Sequence, residues 1–372
     1  MEGEHPVKLR RILYVLGGLV VLCLLVVGGY ALYLQLQYSR IPDHLELEVE
    51  NPQEPVLQTG TAYSAVTWNM GFGAYDHDFS FFMDKGFMAD GTPVQGKQSR
   101  AGSLERVEAN VGGVENTLKE LNADFLLLQE VDEEATRSYN VNQRQWLTDA
   151  FPDKSAVYAC NFHSAHLFYP VYEPHGVVNA GLLTLSGYAI DEAERRSYPV
   201  DQSFPTKFFD LDRCFAVQRL PVDGGKELIL INSHMSAYDE GGIIRQAQME
   251  LLCHVLEEEY RQGNYVIVGG DYNHVLGDTL GIFPSQQQVP PWVQTFDETM
   301  LPEGISVVYA DNDQQVPTCR SCDLPYTKGV NYTSVLDGFL VSENVQARAV
   351  NVDTDFAYSD HNPVKLEFTL LP

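Results

Sequence analysis

Residues 63–69, YSAVTWN, and residues 124–131, DFLLLQEV, enclose a stretch with helical periodicity. The first segment alternates apolar and polar side chains, which predicts a strand, and the second is largely apolar, which predicts a buried strand. Between them, apolar side chains recur at the spacing of one helix face: Leu104, Val107, Val111, Val114, Leu118 and Leu121. A strand, an amphipathic helix and a buried strand in succession are typical of a sheet covered by helices.

The same alternation continues to the C-terminus. Further strands are predicted at residues 177–185, 214–222, 227–233, 265–269, 335–341 and 364–370. A second helical pattern covers residues 243–260. The predicted fold class is therefore α/β or α+β, and residues 63–372 are long enough for one large domain with a substantial core.

The N-terminal region is physically distinct from this body. Residues 12–39 carry no charged side chain, and roughly 20 apolar residues suffice to cross a bilayer as a helix. Because no small-residue cleavage pattern follows, we expect an uncleaved signal anchor. Lys8, Arg10 and Arg11 precede the span, so residues 1–11 are expected in the cytoplasm. The body is then expected outside the cell membrane, on a single-pass anchor.

Residues 40–62 connect the anchor to the body. They are rich in Pro and Glu and have no sustained periodicity. We therefore expect a stalk over this segment.

The charge of the chain excludes one broad class of function. The 372 residues include 24 Lys and Arg against 51 Asp and Glu, a formal net charge of −27. Only three basic and two acidic side chains lie in residues 1–39, so the acidity belongs to the body. Binding of nucleic acid over a broad surface needs a basic face. A nucleic-acid partner is thus disfavoured, although a local cationic pocket for one phosphate is compatible with this balance.

Two cysteines, Cys319 and Cys322, form a C-x-x-C motif in TCRSCD. A structural zinc site would need a second pair of ligands, and no second C-x-x-C or H-x-H spacing is present. We expect either a loop disulfide or two free thiols.

Polar residues appear repeatedly next to the predicted strands. Individually each is an ordinary turn or loop residue, but a site assembled from several strands at one sheet edge requires this placement. The candidates are Asn69, Glu130, His234, Asp271, Asn273, Asp337, Asp360 and His361.

The order of these residues resembles the endonuclease/exonuclease/phosphatase superfamily of metal-dependent phosphodiesterases and phosphatases. The motifs are WN at residues 68–69, LLLQE at 126–130, NSH at 232–234, GDYN at 270–273 and SDHNPV at 359–364. The resemblance extends from about residue 65 to the C-terminus. It implies a four-layer sandwich of two mixed β-sheets flanked by helices, in a membrane-anchored bacterial member of the superfamily.

The resemblance also implies a divalent metal site. Glu130 is a hard oxygen ligand of the kind that Mg²⁺ prefers, with Mn²⁺ as a possible substitute. Asn69 would complete the metal end, and Asp360 would be either a second carboxylate there or a hydrogen-bond partner.

The remaining candidates are implied at the opposite end of the site. By this resemblance Asp271 holds or deprotonates the attacking water and Asn273 contacts the phosphate. His361, oriented through Asp337, and His234 stabilise phosphate oxygens or act as acid and base, because an Asp–His pair fixes the imidazole tautomer and raises its basicity.

One position departs from the family pattern. Several nucleases of the superfamily carry an Asp two residues after the first Asn, and Gly71 stands here instead. This departure weakens the assignment as a nuclease.

Three functions follow from these observations. The leading hypothesis is an anchored, extracytoplasmic Mg²⁺-dependent phosphoesterase that hydrolyses a phosphodiester or phosphomonoester of a lipid headgroup or small metabolite. The first alternative is a surface-anchored nuclease for DNA or RNA. The second is a non-catalytic binding module, which is less favoured because the carboxylates and both histidines are all present.

Overall fold

A computed structural model describes residues 5–237 and 242–372. The helices are α1 His5–Gln37, α2 Leu104–Leu121, α3 Gln143–Ala150 and α4 Ile243–Arg261. The strands are β1 Leu45–Glu46, β2 Val49–Glu50, β3 Ala62–Asn69, β4 Lys85–Phe87, β5 Pro93–Gln95, β6 Phe125–Ala135, β7 Ser155–His163, β8 Val178–Ser186, β9 Glu192–Ser197, β10 Cys214–Val222, β11 Lys226–His234, β12 Tyr265–Asp271, β13 Ile305–Val308, β14 Cys319–Arg320, β15 Thr333–Ser334, β16 Asp337–Ser342, β17 Val345–Asn351 and β18 Val364–Leu370.

Two seven-stranded sheets dominate the described part of the chain. The first sheet has the order β17-β18-β3-β6-β8-β7-β2, and the second has the order β1-β9-β10-β11-β12-β16-β13. Each contains one parallel pair, β3 with β6 in the first and β11 with β12 in the second. The other neighbours within the two sheets are antiparallel. Both sheets are therefore mixed, as predicted.

Each parallel pair is joined by one of the predicted helices. Parallel strands need a crossover connection, and α2 links β3 to β6 as α4 links β11 to β12. The Ser103 side chain caps the start of α2 by accepting a hydrogen bond from the Arg106 amide at 3.3 Å. Asn122 ends the helix in the left-handed conformation. The C-terminal ends of four central strands thus lie at one edge of the sandwich.

Apolar side chains fill three layers between four layers of secondary structure. One cluster lies between the sheets and includes Phe125, Leu230 and Phe339. A second joins the outer face of the first sheet to α2, and a third joins the outer face of the second sheet to α4. This arrangement confirms the four-layer sandwich.

A buried amide network ties the two sheets together near the edge where β11 and the pairing of β3 with β6 end. Gln129 donates a hydrogen bond to Asn232 at 2.8 Å, and both side chains are fully buried. Asn232 in turn donates to the Leu128 and Leu183 carbonyls, each at 3.2 Å. Because a buried polar group that loses its partner is costly, this network fixes one sheet relative to the other.

The segment 40–62 is not the stalk that we predicted. Its strands β1 and β2 extend the second and first sheets at their edges, and Leu57 is fully buried beside Val222. Leu47 and Val49 also pack against the core between the sheets. These apolar residues, spaced among the Pro and Glu, bind the segment to the body, so α1 is joined to the domain without a free linker.

Helix α1 is long and apolar enough to cross a bilayer. The most apolar stretch within Leu9–Gln37 has a mean hydropathy of 2.7, and none of that stretch is buried in the protein. Near its C-terminal end Leu34 is buried against Phe162, Leu167 and Phe208 of the body. The helix therefore docks directly on the domain.

The cysteines of the C-x-x-C motif, Cys319 and Cys322, are buried and carry free thiols. Burial raises the pKa of Cys319 to about 12. The alternative of two free thiols thus describes this structure.

We expect Asn232→Ala to lower the free energy of unfolding by about 2–4 kcal/mol, because it removes a fully buried amide that accepts a hydrogen bond from Gln129 and donates to the carbonyls of Leu128 and Leu183. Thermal unfolding of the full chain in detergent would measure the loss. Asn116→Ala, at an exposed helix position of α2, is the matched control and should be neutral. Equal stability of the two variants would contradict a structural role for the network.

Candidate active site

The eight predicted site residues lie close to one edge of the sandwich. Three of them end strands of the two parallel pairs, namely Asn69, His234 and Asp271, and Glu130 lies within β6, one residue after its pairing with β3 ends. Asp337 begins β16 opposite Asp271, Asn273 follows β12, and Asp360 and His361 precede β18. The edge is built from both sheets.

Asn69 connects the two halves of the site. Its side-chain amide donates to Glu130 Oε1 at 3.3 Å and to Asp271 Oδ2 at 3.1 Å. Its Oδ1 accepts a hydrogen bond from the Gly71 amide at 3.0 Å, and this backbone donor fixes which way the amide faces. In this orientation Asn69 bridges two carboxylates, and the metal-ligand role that we predict for it would require the amide to turn.

Glu130 sits on a distorted part of β6. Its φ of 54° lies in the left-handed region, and the pairing of β6 with β8 shifts register between Leu128 and Val131. Bulges re-aim side chains at functional edges, and positive φ in a non-glycine residue is maintained only by its surroundings. The bulge in β6 therefore directs the Glu130 carboxylate toward the site.

The electrostatics at Glu130 favour a cation. Burial raises the pKa of its carboxyl, the Arg137 charge opposes the shift, and the nearby Asp360 carboxylate adds to it. Arg137 is itself held away, because it pairs with Asp132 at 2.8 Å and lies 3.8 Å over the Phe72 ring. The Glu130 and Asp360 carboxylates are neighbours, and within residues 5–237 and 242–372 Glu130 receives only the long amide hydrogen bond from Asn69. Such oxygen atoms fit the donors that Mg²⁺ takes.

His361 lies between two aspartates. Its Nδ1 is 2.8 Å from Asp337 Oδ2, and its Nε2 is 3.7 Å from Asp271 Oδ2. Burial lowers the pKa of His361, but the charges of Asp337 and Asp271 outweigh that effect and raise it well above the usual value. Ligand atoms of the three residues all lie within 4.8 Å of one another. Because His361 Nδ1 already pairs with Asp337, we interpret these three residues as a hydrogen-bonded group that keeps His361 protonated, and not as the metal site.

His234 has the opposite character. Burial, and then the charge of Arg213, lower its pKa well below the usual value. Arg213 Nη1 donates to His234 Nε2 at 2.6 Å, so the neutral ring carries its proton on Nδ1. That nitrogen is buried and has no hydrogen-bond partner among the described residues. The pKa values of the two histidines of the site are therefore shifted in opposite directions.

Asp271 and Asn273 shape the turn after β12. Asp271 Oδ1 accepts from the Asn273 amide at 2.8 Å, and Asn273 has a φ of 50°. The Asn273 side chain donates to the Met235 carbonyl at 2.9 Å. In the structure Asn273 therefore holds the turn that aims Asp271, and its contact with a phosphate stays a prediction.

Gly71 is required by its surroundings. Its φ is 52°, and a Cβ at this position would lie 2.7 Å from Asp360 Oδ1 and 2.6 Å from Tyr75 Cδ2. A side chain at this position would therefore meet the Asp360 carboxylate and the Tyr75 ring.

The site also contains arginines that sequence reasoning did not single out. Arg213 and Arg137 are both nearly buried, and one touches His234 while the other shifts the pKa of Glu130. Neither belongs to one of the motifs. The pairing of β10 with β11 would have identified Arg213. It directly precedes β10, whose first residue Cys214 pairs with His234.

Comparison with known proteins identifies the family of the chain. The sequence profile of the Endonuclease/Exonuclease/phosphatase family matches residues 66–361, so the resemblance seen in the motifs is confirmed. No curated protein matches the chain by sequence.

Solved structures share the fold at low identity. An endonuclease/exonuclease/phosphatase from Beutenbergia cavernae has a TM-score of 0.56 and 12% identity, over 83% of this chain and 72% of that one. ANGEL2, a 2′,3′-cyclic phosphatase in complex with adenosine-2′,3′-vanadate, has a TM-score of 0.51 and 14% identity, over 89% and 99% of the two chains. TDP2 from D. rerio, complexed with a single-strand DNA product, has a TM-score of 0.50 and 14% identity, over 83% and 99%.

Gly71→Ala should displace Asp360 and strain the backbone. We expect a loss of about 2 kcal/mol in the free energy of unfolding or more, and a large fall in hydrolysis of bis(p-nitrophenyl) phosphate. Gly60→Ala is the matched control, because Gly60 also has positive φ, at 75°, but has no atom within 4 Å of the added Cβ. Equal activity of the two variants would show that the contact with Asp360 is unimportant.

Proposed function

Because the chain belongs to the Endonuclease/Exonuclease/phosphatase family, whose members are metal-dependent hydrolases of phosphate esters, we propose that it is a membrane-anchored, extracytoplasmic Mg²⁺-dependent phosphoesterase. Its substrate would be a phosphodiester or phosphomonoester of a lipid headgroup or small metabolite. The observation that carries the proposal is the division of the edge into two parts. Glu130 and Asp360 lie on one side of Asn69, and Asp271 with the two histidines lies on the other.

Glu130 and Asp360 would hold the Mg²⁺ ion, with Asn69 beside them. When bound, a divalent ion neutralises charge on phosphate oxygens and stabilises the leaving oxygen. The raised pKa of Glu130 reflects burial together with the charge of Asp360, and bound Mg²⁺ would favour the ionised carboxylates.

Asp271 would orient the attacking water and accept its proton. The carboxylate is buried, and Asn69 and the Asn273 amide hold it in place. His361, whose pKa Asp337 and Asp271 raise, would bring a positive charge and an Nε2–H donor to a phosphate oxygen. The neutral His234 would offer Nδ1–H as a second donor, with Arg213 behind it.

A lipid or small-molecule substrate fits the charge of the body better than a polynucleotide. At −27 the chain repels an extended polyanion, whereas Arg137 and Arg213 supply local positive charge for a single phosphate. A nuclease remains the second candidate, because the structural neighbour TDP2 was solved with a single-strand DNA product.

We expect Glu130→Gln to lower Mg²⁺-dependent hydrolysis by about 100-fold, because it removes a charged ligand from the metal side of the site. Glu134→Gln, at an exposed position of the same strand, is the matched control and should keep full activity. Chelator should abolish hydrolysis by the wild-type chain, and Mg²⁺ should restore it. Calorimetric titration with Mg²⁺ would separate weaker metal binding from a failure of chemistry.

The substrate panel uses the full chain in detergent, because α1 packs on the body. Sphingomyelin-type lipid, inositol phosphates and plasmid DNA would be compared with and without Mg²⁺. Hydrolysis of lipid or inositol phosphate well above that of DNA supports the proposal, and the reverse preference establishes the nuclease. If neither the wild-type chain nor its Glu130→Gln and His361→Ala variants hydrolyses any of these substrates, the binding module is the remaining hypothesis.

The proposed topology makes a further prediction. Protease added to intact cells should remove the body, because the basic residues before the uncharged run would keep the N-terminus in the cytoplasm. An epitope tag at the N-terminus should stay protected. Protection of the body together with loss of the tag would reverse the orientation.

A further inference from the structure

Two loops surround the C-terminal end of α1. Residues 164–177 connect β7 to β8, and residues 198–213 connect β9 to β10; we call them the collar loops. The first contacts the helix through the His166 carbonyl, which accepts a hydrogen bond from Tyr30 Oη at 3.1 Å. The second does so through Lys207, which donates to Gln35 Oε1 at 2.9 Å. Both loops are therefore fixed relative to the helix.

The collar loops expose large apolar and aromatic side chains that the protein itself does not cover. The exposed members are Phe168, Tyr169, Val171, Tyr172, Phe204 and Phe209. Val171 is 84% exposed. Contiguous exposed apolar surface marks an interaction site, and aromatic residues are enriched where protein meets the membrane interface.

The length of α1 places these loops at a defined depth. The uncharged residues 12–29 that precede Tyr30 span about 27 Å at 1.5 Å per residue, close to the thickness of ~30 Å of a hydrocarbon core. If the uncharged run begins at one boundary of that core, Tyr30 lies near the other boundary. The loop residues His166 and Phe168, which contact Tyr30, must then lie in the interfacial layer.

The same loops border the active site. Arg40, just beyond α1, forms an ion pair with Asp212. The next residue along, Arg213, donates to His234. On the other loop, the Tyr172 hydroxyl donates to the Lys97 carbonyl at 2.8 Å, in the connection between β3 and α2. The collar loops thus lie at the edge of the sandwich that carries the site.

We infer that the collar loops are a second membrane-contact surface, which inserts its aromatic and apolar side chains into the bilayer interface around α1 and holds the active-site edge toward the lipid headgroups. The inference rests on the anchoring part of the proposed function. The contact would be apolar in origin, because the chain carries a net charge of −27 and attraction to anionic lipid is not available to it as a whole. Neutral phosphatidylcholine is therefore the appropriate bilayer.

The test adds one tryptophan at a time to the collar loops. The full chain, with its native Trp68, Trp146 and Trp292 measured as background, would be reconstituted in phosphatidylcholine vesicles with and without brominated acyl chains. Val171→Trp and Phe204→Trp should each show added emission that brominated lipid lowers by about twofold or more, since interfacial side chains reach the boundary of the acyl chains. Val171 and Phe204 are both exposed, so neither substitution should disturb folding.

Val56→Trp is the matched control, because Val56 is also an exposed valine, at 46%, beside Leu57 and Val222 at the opposite end of the second sheet. Its emission should be unaffected by bromine. Collar emission that is quenched no more than that of Val56→Trp, in protein that floats with the vesicles, would overturn the inference and leave the anchor intact. Failure of the protein to float with the vesicles would overturn the anchoring and the inference together.

Discussion

The hydrogen bond between Gln129 and Asn232 is the interaction on which the site depends. It joins the two sheets one residue before Glu130 and two residues before His234. Because Asn69 also spans from Glu130 of one sheet to Asp271 of the other, a small slip between the sheets would separate the carboxylates that the chemistry requires. An apolar contact tolerates such a slip, whereas a buried amide pair loses a hydrogen bond and costs the desolvation of both groups. The polar network in the core therefore fixes the geometry at the edge.

The second constraint is the concentration of negative charge that this geometry creates. Glu130, Asp271, Asp337 and Asp360 converge at one edge, and burial raises the pKa of Glu130 and of Asp337. The protein offsets this with the charge on His361 and with Arg137 and Arg213, which lie behind Glu130 and His234. Within the described part of the chain, this compensation leaves the carboxylates of Glu130 and Asp360 without an ion pair of their own, which is the state expected of a site that binds a divalent ion.

Much of the fold follows from the sequence because its central elements obey local rules. The strand at residues 63–69, the helix at 104–121 and the strand at 124–131 carry one periodicity each, and all three are present. The strand ends likewise identify the candidate residues. What the sequence does not reveal depends on contacts between distant segments. Residues 40–62 look like a linker because their few apolar side chains have no regular spacing, and only the neighbouring strands make Leu57 a buried residue. Arg213 belongs to no motif and reaches the site through the pairing of β10 with β11.

The acidity of the body bears on how substrate reaches the site, once the proposed anchor is considered. A protein with this charge gains little from long-range attraction to phosphate groups, so substrate must be brought to the edge by other means. In the proposed arrangement the anchor supplies them, because Arg40, just beyond α1, and His234 are linked through the adjacent residues Asp212 and Arg213. An ester at the bilayer surface would then meet the site at high local concentration without any electrostatic steering. An ester free in solution would gain nothing from the anchor and would approach an acidic surface, which makes a membrane-borne phosphate the better match to the whole molecule.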